Sequence, residues 1–317
     1  MAVSRKELDV VVAGLAVVDI IGKPVDLRHP PKAGGLQIIE SLRMTTGGNV
    51  SNVGIDLAKL GFRVGAISRV GDDSLGRFLL QEYNAHGLRT TGITVDSRVQ
   101  TSATIVSVDR AGERTFLHTR GCMARFRASD VLKQLPLIRK ASWFAFGYLG
   151  LVPEMERGLA SLFRAIKQRT GAKIFLDTGG RPSRLSRTNL KSLVSSVDCF
   201  VPSFDEAVLL TGRSSPEDIV RTLLESGSLE IAGVKLGAKG CYIASRRGAK
   251  YIPVRRVRSV VDTTGAGDAF AAGLIAGLIK GLDVFAAAGV ANAVAASSVA
   301  MLGASTAVRP FRTYLRK

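Results

Sequence analysis

The sequence predicts a three-layer α/β/α domain with a mainly parallel central sheet and a small β-sheet lid set into it. Short apolar, β-branched runs alternate with longer segments of helical period, the pattern of strands buried on both faces and covered by helices. Two stretches break that rhythm. Residues 20–43 are rich in Pro and Gly, and residues 101–118 (TSATIVSVDRAGERTFLH) read as two strands around a turn at Asp109 to Gly112. No linker, low-complexity tract or internal repeat divides the 317 residues, so a single domain over 1–317 is expected, with lid segments near 20–45 and 98–120.

In chain order, strands are expected at residues 10–17, 64–68, 143–146, 174–177, 199–202 and 231–236. Helices are expected at 49–60, 74–86, 153–169, 205–210, 216–226, 266–279 and 283–301. The first of these helices turns Val50, Val53, Leu57 and Leu60 inward and stops at Gly61. The helix from 266 carries a stripe of Phe270, Leu274 and Leu278, and a β-rich stretch, 251–261, precedes it.

Composition narrows the function. A hydrophobic fraction of 46% excludes general disorder. Cys122, Cys199 and Cys241 are odd in number and far apart, forming neither a disulfide framework nor a metal knuckle, which points to a reduced, cytoplasmic compartment. The apolar run 10–18 is too short to cross a membrane, and 269–302 is interrupted by Lys280 and Asp283, so no membrane partner is expected. The net charge of +18 gathers in Arg-rich stretches at 181–187, 245–258 and 309–317. No nucleic-acid motif or aromatic stacking platform accompanies them. They read as a solvated surface that concentrates anionic small molecules, and nucleic acid is not the expected partner.

Two motifs carry chemistry. Residues 262–268 (DTTGAGD) open a helix: Gly265 and Gly267 let the backbone approach a ligand, and the free N–H groups of the first turn with the positive dipole end form an anion site. Asp268 stands beside that anion, where it can take a proton from a nucleophile attacking a phosphoryl group. Its place in the first turn predicts an ionised carboxylate near neutral pH. Residues 47–52 (GGNVSN) lead into the other helix. Asn49 and Asn52 share a face, and two amides beside a Gly-Gly backbone suit sugar hydroxyls, although Asn49 alone reads equally well as an N-cap. The sequence contains no P-loop, GxGxxG, GxSxG elbow or His cluster.

Together, and in this order, the two motifs resemble the PfkB or ribokinase-like carbohydrate kinases, whose GGxxxN appears as 47–52 and whose DTxGAGD signature appears as 262–268. The resemblance implies transfer of the ATP γ-phosphate to a hydroxyl, usually a CH2OH, of a sugar or nucleoside beneath a β-sheet lid. It makes Asp268 the base and Gly265, Ala266 and Gly267 the anion hole. Asp19, Gly48, Asn49 and Asn52 fall at substrate positions; Lys235, Gly237, Gly240 and Asn292 fall at nucleotide positions. Glu206 corresponds to the residue that organises Mg2+ through water. Asp262, Thr264 and Gly303 correspond to a monovalent-cation site, K+ in some members. One motif departs from the pattern: the usual Asn-x-x-Glu reads Ser203-Phe-Asp-Glu206, which is also a capping box. With Phe116 the one prominent aromatic in the lid segments, a sugar is favoured over a nucleoside. The rival class is a non-catalytic nucleic-acid-binding protein on the same fold. A homodimer through the lid edge is a further expectation.

Overall fold

The computed structural model describes residues 6–179, 187–254, 257, 259–301 and 303–315. The Arg-rich stretch 181–187 is therefore almost wholly outside the described residues, as are Arg255, Arg256 and Arg258 of the second stretch and the last two residues of the tail.

The chain begins with β1 (Val10–Ala13), β2 (Val17–Lys23), β3 (Ser41–Gly47), α1 (Asn49–Lys59), β4 (Val64–Gly71), α2 (Ser74–Ala85) and β5 (Arg89–Asp96). The lid hairpin β6 (Ala103–Val108) and β7 (Arg114–Thr119) follows, then α3 (Ala128–Leu132), α4 (Leu135–Arg139) and β8 (Trp143–Phe146). Next come α5 (Pro153–Glu156), α6 (Leu159–Thr170), β9 (Lys173–Leu176), α7 (Arg187–Val194), β10 (Cys199–Phe200), α8 (Phe204–Thr211) and α9 (Pro216–Glu225). The chain closes with β11 (Ile231–Lys235), β12 (Cys241–Ser245), β13 (Gly248–Ile252), α10 (Ala266–Ile279) and α11 (Val284–Ser298).

Among the described residues nine strands form the body sheet in the order β13-β12-β11-β10-β9-β8-β1-β4-β5, parallel except for the β11–β12 and β12–β13 pairs. Its central strands alternate between two cores. Val11 and Ala13 of β1 pack with Phe163, Ile166 and Ile219 under α6 and α9, whereas Val10 and Val12 pack with Val53, Leu274 and Ala291 under α1, α10 and α11. Gly273 and Gly277 bring α10 against α11: a Cβ on either would fall within 3 Å of the α11 backbone. A second sheet, ordered β3-β2-β6-β7, forms the lid.

Several element boundaries differ from the sequence expectation. The apolar run 10–17 is not one strand, because the chain leaves the body at Gly14 (φ 138°) and re-enters pairing at Val17 as a lid strand. Asn49 pins that turn, accepting from Leu15 N at 2.9 Å and donating to Ala13 O at 2.8 Å. The helix expected at 153–169 is broken at Gly158, a poor helix former that becomes the N-cap of α6. The stretch 251–261 carries strand only to Ile252 among its described residues. Strands β5, β12 and β13, with their mixed polar sequences, were not expected, nor were the short helices α3, α4 and α7. The 101–118 hairpin forms as expected, its turn closed by Asp109 Oδ1 accepting from Ala111 N and Glu113 N, with Gly112 at φ 88°.

Candidate active site

The two motifs meet where α1 and α10 begin. Gly48 has φ 82°, and a Cβ on it would lie 2.4 Å from Leu15 O. A Cβ on Gly47 would lie 2.3 Å from Asp19 Oδ2, so this glycine makes room for the Asp19 carboxylate. Asn52, one turn into α1, donates its amide to Asp268 Oδ2 at 2.8 Å. Tyr148 donates its hydroxyl to the same oxygen at 2.9 Å.

Asp268 thus sits in the first turn of α10, buried, with two donors converging on Oδ2. Burial pushes its pKa up to about 6, and the carboxylate of Asp177 adds to the rise, while Asn52, Tyr148 and Lys235 oppose it. The carboxyl is thus mostly ionised at neutral pH, as its place in the first turn predicts, but burial lifts its pKa well above that of an ordinary Asp, which the sequence did not show. Asp19, at the lid end, is also raised to about 6 by burial, with Thr104 opposing.

Lys235 lies at the end of β11 and bonds both oxygens of the buried Asp177, at 2.8 and 2.6 Å. Its ammonium also borders the α10 turn, for a Cβ added at Gly267 would stand 3.5 Å from Nζ. A fixed cation and the start of α10 therefore face one point, a strong setting for a phosphoryl group, although the Ala266 N–H is turned back onto Thr263 O at 3.3 Å. Gly265, the N-cap of α10 at φ 75°, allows the turn to press against Ala304.

Two clefts flank this turn. One, of about 510 Å3, lies under the lid and is lined by Asp19, Thr45, Asn52, Arg114, Phe116 and Asp262 among others. The other, of about 530 Å3, is largely apolar and runs between the Gly237–Gly240 turn and α11, with Ala266, Gly267, Phe270 and Asn292 in its wall. The Asn292 amide donates to Ile252 O at 2.8 Å, so this residue braces the cleft wall through the backbone. Gly240, at φ 100°, allows its turn to lie against Ile252 O.

Not every expected residue reaches a cleft. The Asn49 amide is spent on the β1–β2 turn, and Gly48 serves backbone packing, so neither lines the cleft under the lid; both act behind it. Glu206 forms the capping box of α8 with Ser203, accepting from Ser203 N at 2.9 Å and from the Thr178 hydroxyl. Asp262, Thr264 and Gly303 do come together: Asp262 Oδ1 accepts from Thr264 N at 2.8 Å, and Oδ2 accepts from Gly303 N at 3.0 Å. Arg114 of the lid also bonds Asp262, at 2.6 Å, and the Thr264 hydroxyl.

Tyr148, Asp177 and Arg114 escaped sequence reading. Tyr148 follows strand β8 and Asp177 follows β9, both at carboxyl ends of parallel strands, where ligands of open α/β sheets gather. That position was the available signal. Tyr148 adopts φ 64°, unusual for a residue with a side chain.

A cleft beneath a β lid, an apolar cleft beside it, the α10 turn between them and a buried carboxylate behind that turn are the parts expected of a phosphotransferase that joins a nucleotide to a small hydroxylated acceptor. The sequence profile of the pfkB family carbohydrate kinases matches residues 7–310, and the chain belongs to that family. It is 30% identical over 290 residues to the 2-dehydro-3-deoxygluconokinase of Bacillus subtilis, covering 88% of each chain. It is 33% identical over 277 residues to the aminoimidazole riboside kinase of Salmonella typhimurium, covering 84% of this chain and 85% of that one. Its fold is that of the Arabidopsis thaliana ribokinase solved with ribose and ATP, with a TM-score of 0.84, 23% identity and 97% of each chain covered. The protein is an ATP-dependent carbohydrate kinase.

Proposed function

We propose that the cleft under the lid takes a small sugar or sugar acid and the apolar cleft takes ATP, with the γ-phosphate directed at the α10 turn. The observation that carries this reading is the position of Asp268, buried next to Gly267 of the apolar cleft wall and bonded on one oxygen by Tyr148 and by Asn52, which lines the cleft under the lid. Its Oδ1 is then the atom for an acceptor hydroxyl. As the hydroxyl oxygen bonds to the γ-phosphorus and the bond to the β,γ-bridging oxygen breaks, the proton passes to Asp268 and ADP leaves. A carboxylate of pKa about 6 is a weak base towards a resting alcohol but accepts the proton once bonding to phosphorus has acidified it. Lys235 and the amides of Gly265, Ala266 and Gly267 stabilise charge on the transferring group without reorganising. Asp19 accepts from acceptor hydroxyls at the lid end.

ATP and Mg2+ are the cofactors of the reaction. Among the described residues no group of three or more His, Cys, Asp or Glu side chains is placed to hold an ion, which suits an ion carried by nucleotide phosphates and water, with Glu206 reaching it through water. Bound there, Mg2+ neutralises the phosphates for a dissociative transfer. A sugar is favoured over a nucleoside because Phe116 is the single aromatic side chain lining the cleft. The outer face of the lid carries exposed Leu42, Met44, Ile105 and Leu117, which supports a homodimer across the lid. Three buried free thiols and the use of ATP suit the cytoplasm.

The test is ADP release by the purified protein with ATP and Mg2+ against ketoses, pentoses, aldonates, 2-keto-3-deoxy sugar acids, inositols and ribosides, with the phosphorylated product identified by mass. A sugar or sugar acid turning over well above the background hydrolysis of ATP supports the reading. Turnover of ribosides alone moves the assignment to a nucleoside kinase.

A further inference from the structure

Arg114 stands on β7, the edge strand of the lid, yet its guanidinium bonds the turn that leads into the anion hole. Nη2 lies 2.6 Å from Asp262 Oδ1, and the same group donates to the Thr264 hydroxyl. Around them Asp262 is fully engaged. Oδ1 also accepts from Thr264 N, and Oδ2 accepts from Gly303 N. One buried carboxylate thus ties together a lid strand, the turn at 262–264 and the loop at 303.

These are also the residues at which the family resemblance implies a monovalent cation, and the structure tests the fit. An alkali ion ligated by Asp262 would share a single negative charge with a guanidinium already paired to it. It would stand within a few ångströms of that fixed positive charge, a repulsion that nothing in the immediate cluster offsets. The residues present do not fit an added cation.

We propose that Arg114 is a built-in counter-ion of the Asp262 turn, which sets the anion hole from the lid and removes the need for a potassium ion. The inference rests on the kinase reading above, but its first test does not. A planar guanidinium holds a carboxylate and a hydroxyl together in one fixed fork geometry, which a rotating ammonium does not impose. An ion arriving from solvent would organise the turn whether or not the lid was in place. An arginine carried by the lid organises it only while the lid strand is seated on the body.

The experiment uses the full chain and Arg114→Met, which keeps much of the side-chain volume and removes the charge. In the free protein, melting temperature is measured in potassium chloride and in tetramethylammonium chloride at matched ionic strength. Wild type should melt at the same temperature in both, whereas Arg114→Met should gain a saturable stabilisation by potassium. Initial rates then follow in the same salts. Wild-type kcat should be independent of potassium. Arg114→Met should lose about 10^2-fold in tetramethylammonium, the usual scale for removing one group from an anion site, and recover in part on addition of potassium or guanidinium ion. A saturable rise in wild-type melting temperature with potassium overturns the proposal. So does an Arg114→Met variant with the wild-type rate in tetramethylammonium. Failure of the kinase reading would instead leave the melting result intact while no sugar turned over.

Discussion

The nine-stranded body sheet and the four-stranded lid sheet are built by different rules. In the body, β1 and β8 are buried along their whole length, and their side chains fill two separate cores. In the lid, alternation governs. Asp19, Ile21, Val106, Arg114 and Phe116 line the cleft, while Ile20, Met44, Ile105 and Leu117 form a cross-strand row on the opposite face. Polar groups on the body are held by buried bonds: Asp268 by Asn52 and Tyr148, and Asp177 by Lys235. The lid has one core-facing side at most, and Arg114 fastens its edge strand to the body. On the proposed reading, chemistry is placed on the body sheet and recognition on the lid.

The comparison is broken most severely at Asp268. Asp268→Asn keeps the shape and the reach to Tyr148 while removing base and charge, and kcat should fall at least ~10^2-fold with KM for ATP changed by less than ~10-fold. The same variant should be more stable. The folded-state pKa of about 6 lies above that of the unfolded chain, so the buried ionised carboxylate destabilises the fold at neutral pH, and this penalty is relieved as pH falls through about 6 towards 4. A melting temperature for Asp268→Asn above wild type at neutral pH, converging with it in mild acid, is the expected result, with a gain on the order of 3 kcal/mol at most.

Asp19 tests the lid half. Asp19→Ala removes an acceptor of sugar hydroxyls from a buried wall, and the loss should appear as a KM for sugar raised ~30- to 100-fold with kcat much less affected. A loss of kcat at unchanged KM would mean that recognition does not reside there. A smaller effect is expected at Glu206. Glu206→Gln should raise the Mg2+ concentration for half-maximal rate several-fold, by about one charge-assisted contact through water; an unchanged Mg2+ requirement with a lower melting temperature assigns the residue to its capping box alone. The smallest kinetic effect belongs to the outer face of the lid. Leu117→Lys should convert a dimer to a monomer in sedimentation while leaving activity per chain within about two-fold of wild type, since a surface change this far from the cleft alters little.

The same contrast decides what could be read from the sequence. Body strands are legible because burial on both faces writes them as unbroken apolar runs, as at Trp143–Phe146. The helix starts at Asn49 and Ala266 are legible because glycines with demanding backbone angles precede them. The run from Val10 hid its break because lid and body strands there are equally apolar, and a tertiary bond from Asn49 ends the first. Lid strand β3 (SLRMTTG) shows no core face, and only its pairing with β2 makes it a strand. At the site, motif residues were found and their partners were not. Tyr148 and Arg114 reach their carboxylates across 120 and 148 residues, and no local pattern records such a pairing. The same limit explains why the raised pKa of Asp268 was not foreseen, because a helix start is visible in sequence while the depth of burial around it is not.

The pH dependence of wild-type kcat at saturating ATP, Mg2+ and sugar tests most directly whether a buried carboxylate at the head of α10 performs the proton transfer. The base works only when ionised, and burial has raised its pKa to about 6. The rate should therefore be level through neutral pH and fall in inverse proportion to proton concentration below about pH 6, with the limb absent from the residual rate of Asp268→Asn. A wild-type kcat that stays level through that range, or a variant that keeps the same limb, contradicts the assignment.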